Sequence, residues 1–163
     1  YEATKRGLDD SLNKCGLNYF DLVLIHWPMG HDLDTWRALE EAYKAGKTRA
    51  IGISNFNSRQ TLELINHAEI RPTVDQIETH LLLQQWKMHE FLKKENIIHE
   101  SYSPLGNGQQ NLMTNPVLQK IGEKYGKSPI QVILRYLVQN DIVTIPRSTN
   151  SAHIKANIDI FDF

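Results

Sequence analysis

The stretch Asp21-Leu22-Val23-Leu24-Ile25-His26-Trp27-Pro28 decides how this chain reads. An apolar run with no polar alternation leads straight into a histidine, and Trp-Pro ends it. Such a run reads as a strand buried on both faces. Proline cannot donate to a sheet ladder, so the strand ends at or before Pro28. His26 then stands at the C-terminal end of a buried strand, where parallel α/β proteins collect their chemistry.

Working outward, residues 1–14 place Ala3, Gly7, Leu8 and Leu12 on one face of an amphipathic helix closed at Cys15-Gly16. The strand at 20–26 follows. Asp34 is the expected cap of the next helix, which carries Trp36, Leu39 and Tyr43 and ends at Gly46. Arg49 to Ser54 reads as a second buried strand, and Gly52 within it marks a close backbone approach. Ser58 is the expected cap of a helix through Leu62, Leu64 and Ile65. Pro72 to Glu78 forms a third strand, with Val74, Gln76 and Glu78 on one face and Thr73, Asp75 and Ile77 on the other. Gln84 to Asn96 is helix, and Ile97 to Tyr102 is a fourth strand stopped by Ser103-Pro104-Leu105-Gly106. A polar loop with Gly106 and Gly108 leads to helices near 115–124 and 128–139, the second opened by Ser128-Pro129. Asp141 to Ile145 is a fifth strand, and Asn150 or Ser151 starts a last helix.

Strict alternation of helix and strand, with the first four strands spaced by about 25 residues, implies a parallel sheet covered by helices. A doubly wound sheet and a (β/α)8 barrel both meet that description. No glycine-rich phosphate loop follows any strand, which weakens the dinucleotide-fold reading. Five βα units fall three short of a barrel, whose usual length is about 250 residues. The expected fold class is therefore an α/β (β/α)8 TIM barrel, incomplete, with its first three strands and last helix missing. Residues 1–163 form one partial domain in this reading. The chain opens on Tyr1 and closes on the apolar Phe161-Asp162-Phe163, whereas natural termini are usually polar, so an internal piece of a longer protein is expected. Its outer strands, Asp21–His26 and Asp141–Ile145, are expected to be unpaired edges that invite association.

Composition excludes several classes. The 163 residues are 40% hydrophobic and 23% charged with a formal net charge of −1, which offers no electrostatic attraction to nucleic acid or an anionic membrane. No run of apolar residues is long enough to span a bilayer. The single cysteine, Cys15, excludes an internal disulfide and suits a cytoplasmic location. The strand ends carry His26 and Trp27; Ser54, Asn55 and Phe56; Gln76, Glu78 and His80; Tyr102 and Ser103; and Arg147, Ser148 and Thr149. Such a set, without an obvious metal triad, points to hydrogen bonding and stacking on an organic cofactor.

DLVLIHWP (Asp21–Pro28), GISNF (Gly52–Phe56), DQIETH (Asp75–His80), YSPLG (Tyr102–Gly106) and IPRS (Ile145–Ser148) appear in the order and spacing of the aldo-keto reductases. The chain resembles that family over essentially its whole length, in the part that holds strands 4 to 8 of the barrel. The resemblance implies an NADP(H)-dependent oxidoreductase that reduces aldehydes or ketones to alcohols by hydride transfer. It implies that His26 orients the substrate carbonyl, that Trp27 lines the substrate pocket, and that Ser54, Asn55 and Gln76 hydrogen-bond the nicotinamide carboxamide. Tyr102 would stack on the nicotinamide; Ser103, Leu105 and Gly106 would form the loop over the pyrophosphate. Arg147 and Ser148 would hold the 2′-phosphate, and Asn157 would contact adenine. An amide ligand needs donors and acceptors together, which Asn and Gln supply. A cation beside hydroxyls and a helix start suits a phosphate independently of any resemblance.

This chain departs from the family pattern at His153, where the family carries arginine, and at Leu81, where proline is common. The family's catalytic tyrosine, aspartate and lysine fall upstream of Tyr1, and Tyr1, Tyr19 and Tyr43 lie on helices or at a strand start. The isolated chain is therefore expected to be inactive. The expected partner is a small carbonyl substrate, with no nucleic acid, membrane or metal, and the full-length form is expected to be a monomer or weak dimer. Two other readings compete: a non-catalytic nucleotide-binding or interaction module that keeps the cofactor floor, and a metal-dependent hydrolase using His26 and His80. The latter lacks a ligand cluster with metal spacing.

Overall fold

The structure is a computed structural model that describes residues 1–108 and 111–163. It confirms the α/β class, with every strand pairing inside each of two compact units parallel. The first unit comprises Tyr1–Gln76 and Lys87–Ile98, the second Ile77–Trp86 and His99–Phe163.

In the first unit, helices α1 (Glu2–Cys15), α2 (Asp32–Lys44) and α3 (Ser58–His67) alternate with strands β1 (Val23–Ile25), β2 (Ile51–Ser54) and β3 (Val74–Glu78, whose last two residues belong to the second unit), followed by α4 (Trp86–Lys94), in this unit from Lys87 onward. β1 pairs with β2 through Val23↔Ile51, Leu24↔Gly52 and Ile25↔Ile53, and β2 with β3 through Ile53↔Asp75 and Ser54↔Gln76. Ile25, Trp36, Leu39, Ile51, Ile53, Phe56 and Leu64 form the core. Gly52 meets its expectation: a Cβ there would lie 2.7 Å from both the Leu24 side chain and the Val74 carbonyl. α1 ends at Gly16, whose φ of 64° requires the left-handed region.

Three local expectations are corrected. β1 is shorter than 20–26 and not buried on both faces: Val23 and Leu24 are half-buried, and Leu22 to Ile25 line an open groove of about 410 Å³ with Thr4, Gly7, Leu8 and Leu39. Asn57, not Ser58, caps α3, because Gln60 stands three residues after Asn57 and closes a reciprocal capping box. Residue 61, three after Ser58, is a threonine, too short to return that bond. α2 starts at Asp32 rather than after Asp34, and the Asp32 carboxylate accepts the Met29 N–H.

The second unit holds β4 (Ile98–Tyr102), a 3-10 turn (Gly106–Gly108), α5 (Pro116–Tyr125), α6 (Pro129–Gln139), β5 (Val143–Thr144) and α7 (Ser151–Ile158). β4 pairs with β5 through Glu100↔Val143 and Ser101↔Thr144. Leu112, Leu118, Val132 and Ile133 pack as its core, with Leu81, Leu105 and Phe163 against them. Ser128 and Gln131 form the expected capping box, with Pro129 in the first turn of α6. The fifth strand is shorter than Asp141–Ile145 because Asp141 takes a φ of 61°, outside strand geometry. α4 begins at Trp86 rather than Gln84, after Gln85 at a φ of 55°. The polar loop expected after Tyr102 includes Gln109 and Gln110, which lie outside the described residues. Among the described residues, no helix is long and apolar enough to cross a membrane.

Candidate functional site

The first unit gathers His26, Ser54, Asn55 and Gln76 through hydrogen bonds. β2 delivers Ser54 in register with Gln76 on β3, and the chain then turns at Asn55, whose φ is 63°. Asparagine tolerates that left-handed conformation better than most residues. The Asn55 N–H donates to the Gln76 carbonyl at 3.0 Å. Its Nδ2 donates to the His26 carbonyl at 3.0 Å and to the Ser54 hydroxyl at 3.0 Å. The Ser54 hydroxyl donates in turn to the Gln76 carbonyl at 2.7 Å. Both Nδ2 bonds fix the amide, and Oδ1 has no partner among the described residues. His26 is exposed, and the ring of Trp27, 51% exposed, lies beside it with centroids 6.2 Å apart.

Asp75 was not singled out by sequence reasoning. It is fully buried, and neither carboxylate oxygen has a hydrogen-bond partner among the described residues. Burial pushes its pKa from 3.8 up to about 7, partly offset by the nearby Phe56 N–H. Alternation along β3 assigns its face. The absence of a partner there depends on what covers that face, which no local pattern carries.

In the second unit, Tyr102 ends β4, half-buried, and its phenol pKa is raised by burial and then by the Glu78 charge. The loop that follows is held in left-handed backbone at Ser103 (φ 48°), Gly106 (64°), Asn107 (55°) and Gly108 (75°). The Gly106 N–H donates to the Ser103 carbonyl at 2.8 Å. The Ser103 hydroxyl donates to Asn107 Oδ1 at 2.8 Å, and Asn107 Nδ2 donates to Glu78 Oε1 at 3.4 Å. His80 Nε2 lies 3.4 Å from the same Glu78 oxygen. Leu105 is half-buried and Gly106 buried.

Arg147 is exposed in the loop before α7, and its guanidinium has no partner among the described residues. Ser148 Oγ accepts the Asn150 N–H at 3.1 Å, and Asn150 Oδ1 caps α7 by accepting the Ala152 N–H at 2.9 Å. The remaining first-turn N–H groups of an α-helix have no intrahelical partner. A free guanidinium beside them suits an anionic group. His153 is exposed in that first turn, and Asn157 is half-buried near the end of the same helix. Among the described residues, no group of three or more His, Cys, Asp or Glu side chains is placed to hold a metal ion.

Asn107 is the member of this constellation that sequence reasoning missed. The signal was the Gly106-Asn107-Gly108 tripeptide, three residue types that tolerate positive φ.

A sequence profile of the aldo/keto reductase family matches residues 1–163. Glyoxal reductase of Bacillus subtilis (strain 168) is 49% identical over 165 residues, covering 100% of this chain and 59% of that protein. The crystal structure of MGS-M4, an aldo-keto reductase from a Medee basin deep-sea metagenome library, superposes with a TM-score of 0.97 at 43% identity, covering 100% of this chain and 61% of that one. The Bombyx mori aldo-keto reductase solved in complex with NADP gives a TM-score of 0.91 at 36% identity, covering 99% of this chain and 59% of that one. The chain thus spans less than two thirds of the length of these relatives. A family profile that runs from the first residue to the last, on an α/β framework carrying the expected strand-end residues, leads to one conclusion: this chain belongs to the aldo/keto reductase family.

Proposed function

We propose that this chain supplies the cofactor floor and the carbonyl-orienting histidine of an NADP(H)-dependent carbonyl reductase built on a (β/α)8 barrel. The observation that carries the reading is Asn55: its left-handed backbone and two Nδ2 bonds leave an amide oxygen with no partner among the described residues. That oxygen is suited to accept from a carboxamide, with Ser54 and Gln76 as neighbours that set its orientation. Tyr102 offers a half-buried ring for stacking, and Ser103, Leu105 and Gly106 a loop over the pyrophosphate. Arg147 and Ser148, with the first turn of α7, offer charge and donors for a 2′-phosphate, and Asn157 a contact for adenine. Bound NADP(H) supplies the hydride. His26 donates an imidazole N–H to the carbonyl oxygen of the aldehyde or ketone and favours the charge that develops there. Trp27 walls the substrate from water. The name of one relative, a glyoxal reductase, supports a small carbonyl substrate.

Arg147→Ala is expected to weaken NADPH binding about 10- to 100-fold, as the loss of a charge-assisted phosphate contact does, while NADH binding changes less than threefold. Calorimetric titration with both nucleotides checks this, and equal losses for the two would defeat the 2′-phosphate assignment.

The same reading holds that residues 1–163 alone turn over essentially no carbonyl, since the family's proton donor is not among them. Groups that act as a unit lose most of the rate together. Consumption of NADPH by the isolated chain with glyoxal, at the rate of an ordinary enzyme, would contradict it.

A further inference from the structure

None of the side chains of α7 is buried. A helix usually takes its place by packing an apolar face, and this one has no such face to pack. The residues directly after it are held instead. Ile160 is buried, and Phe163 packs against the second unit's core. The polar hold comes from two side chains at the start of α6. Lys127 Nζ donates to the Asp159 carbonyl at 3.2 Å, and it lies 3.0 Å from Asp159 Oδ2 and 2.8 Å from Asp162 Oδ1. Gln131 Nε2 donates to the same Asp159 carbonyl at 2.8 Å. Asp159 is the C-cap of α7. Carbonyls at a helix end lack intrahelical partners, and a cation there is favoured.

Both donors are themselves fixed. The Lys127 N–H donates to the Gly122 carbonyl at 2.9 Å, and a Cβ at Gly122 would lie 2.2 Å from the Lys127 carbonyl oxygen. Only glycine admits that seat. The Lys127 side chain is 9% exposed, and its ammonium lies 5.5 Å from the centre of the Phe163 ring. Gln131 is buried, and its Oε1 accepts the Ser128 N–H at 2.9 Å, which turns Nε2 toward Asp159. The end of α7 is thus tied to a rigid turn rather than to another mobile surface.

We propose that Lys127 and Gln131 clamp the C-terminal end of α7 and thereby set where that helix stands to receive the adenosine 2′-phosphate end of NADP(H). Lys127 is a positioning residue: it acts through Asp159 and Asp162, not through the cofactor. Asn157, two residues before Asp159, is the group it governs most directly. The proposal rests on the reading that Arg147, Ser148 and Asn157 take that end of the cofactor.

The test uses the protein expressed from its gene and titrates it calorimetrically with 2′-AMP, well below the melting temperature of each variant. Lys127→Met is expected to weaken 2′-AMP binding about tenfold, as the loss of a charge-assisted contact does. Asp162→Asn is expected to weaken it about threefold, because Asp159 still holds the ammonium. The double variant is expected to bind no more weakly than Lys127→Met, since both changes open one clamp. Lys127→Arg is expected to stay within about twofold of the parent, its guanidinium still reaching both carboxylates. Parental affinity in Lys127→Met, multiplicative losses in the double variant, or an Arg variant as weak as the Met variant would each overturn the clamp. If Lys127→Met does not fold, Asp162→Asn decides, and parental affinity there overturns it. A parent protein that fails to bind 2′-AMP would remove the reading of the phosphate end and the clamp together. A parent that binds it, with folded variants of parental affinity, removes the clamp alone.

Discussion

Asp75→Asn is expected to stabilise the fold at pH 8 and to change little at pH 4. The Asp75 carboxyl is fully buried, and its pKa stands near 7 in the folded chain against an ordinary value of 3.8. A carboxyl whose folded pKa is raised binds its proton more tightly when folded, so the folded state gains relative stability at low pH. That advantage is complete below about pH 4 and is lost as pH rises through about 7. A shift of roughly three units corresponds to about 4 kcal/mol, an upper figure. The asparagine amide is itself a buried polar group with no ready partner, so the net gain at pH 8 is expected to be about 1–3 kcal/mol. Urea unfolding of parent and variant at pH 4, 6 and 8 measures it. The parent should weaken across that range more than the variant does, and parallel pH profiles would show that Asp75 does not titrate there.

Trp36→Ala is expected to remove about 3–5 kcal/mol of stability, the usual loss for a large buried aromatic. Trp36 is 1% exposed at the centre of the first unit's core, against Ile51, Ile53 and Leu64. Its effect reaches beyond packing. The indole N–H donates to the Ile70 carbonyl at 2.9 Å. Glu40, one helical turn further along α2, accepts the N–H groups of Glu69 and Ile70 at 2.7 and 2.9 Å. Together the two side chains hold the turn that feeds β3, the strand of Asp75, Gln76 and Glu78. Trp36→Phe separates the two contributions: it keeps most of the ring and leaves the Ile70 carbonyl unpaired, for an expected loss of about 1–3 kcal/mol. Denaturant titration followed by far-UV circular dichroism ranks the three proteins. An alanine variant within 1 kcal/mol of the parent would mean that the site collapses around the missing ring.

Much of this was legible from residue order because the deciding signals are local. Hydrophobic runs, prolines and glycines place every strand, and the Ser128-Pro129 pair places α6. Gly52 announces a tight crossing because no side chain fits there. The helix starts at Asn57 and Asp32 were less legible, since several cap-forming residues stand together and only the reciprocal bond to Gln60 selects Asn57. The half-burial of β1 and the orphaned Asp75 carboxylate were not legible, since both depend on which distant segment covers a face. Likewise the strand-end residues Glu78 and His80 were visible as polar groups in the right place. The tie of Glu78 to Asn107 is a contact across 29 positions that no spacing rule contains.

The three tryptophans occupy three different environments, with Trp36 1% exposed, Trp86 37% and Trp27 51%. Their light emission is therefore partitioned by location. The blue-shifted component belongs to Trp36 and moves to longer wavelength when the first core opens. The red component includes Trp27, the indole beside His26, so on the proposed function a molecule settling at the end of β1 is expected to change that component more than that of Trp36. On that proposal the fold would carry, without any added dye, one optical reporter for its integrity and another for occupancy of its candidate site.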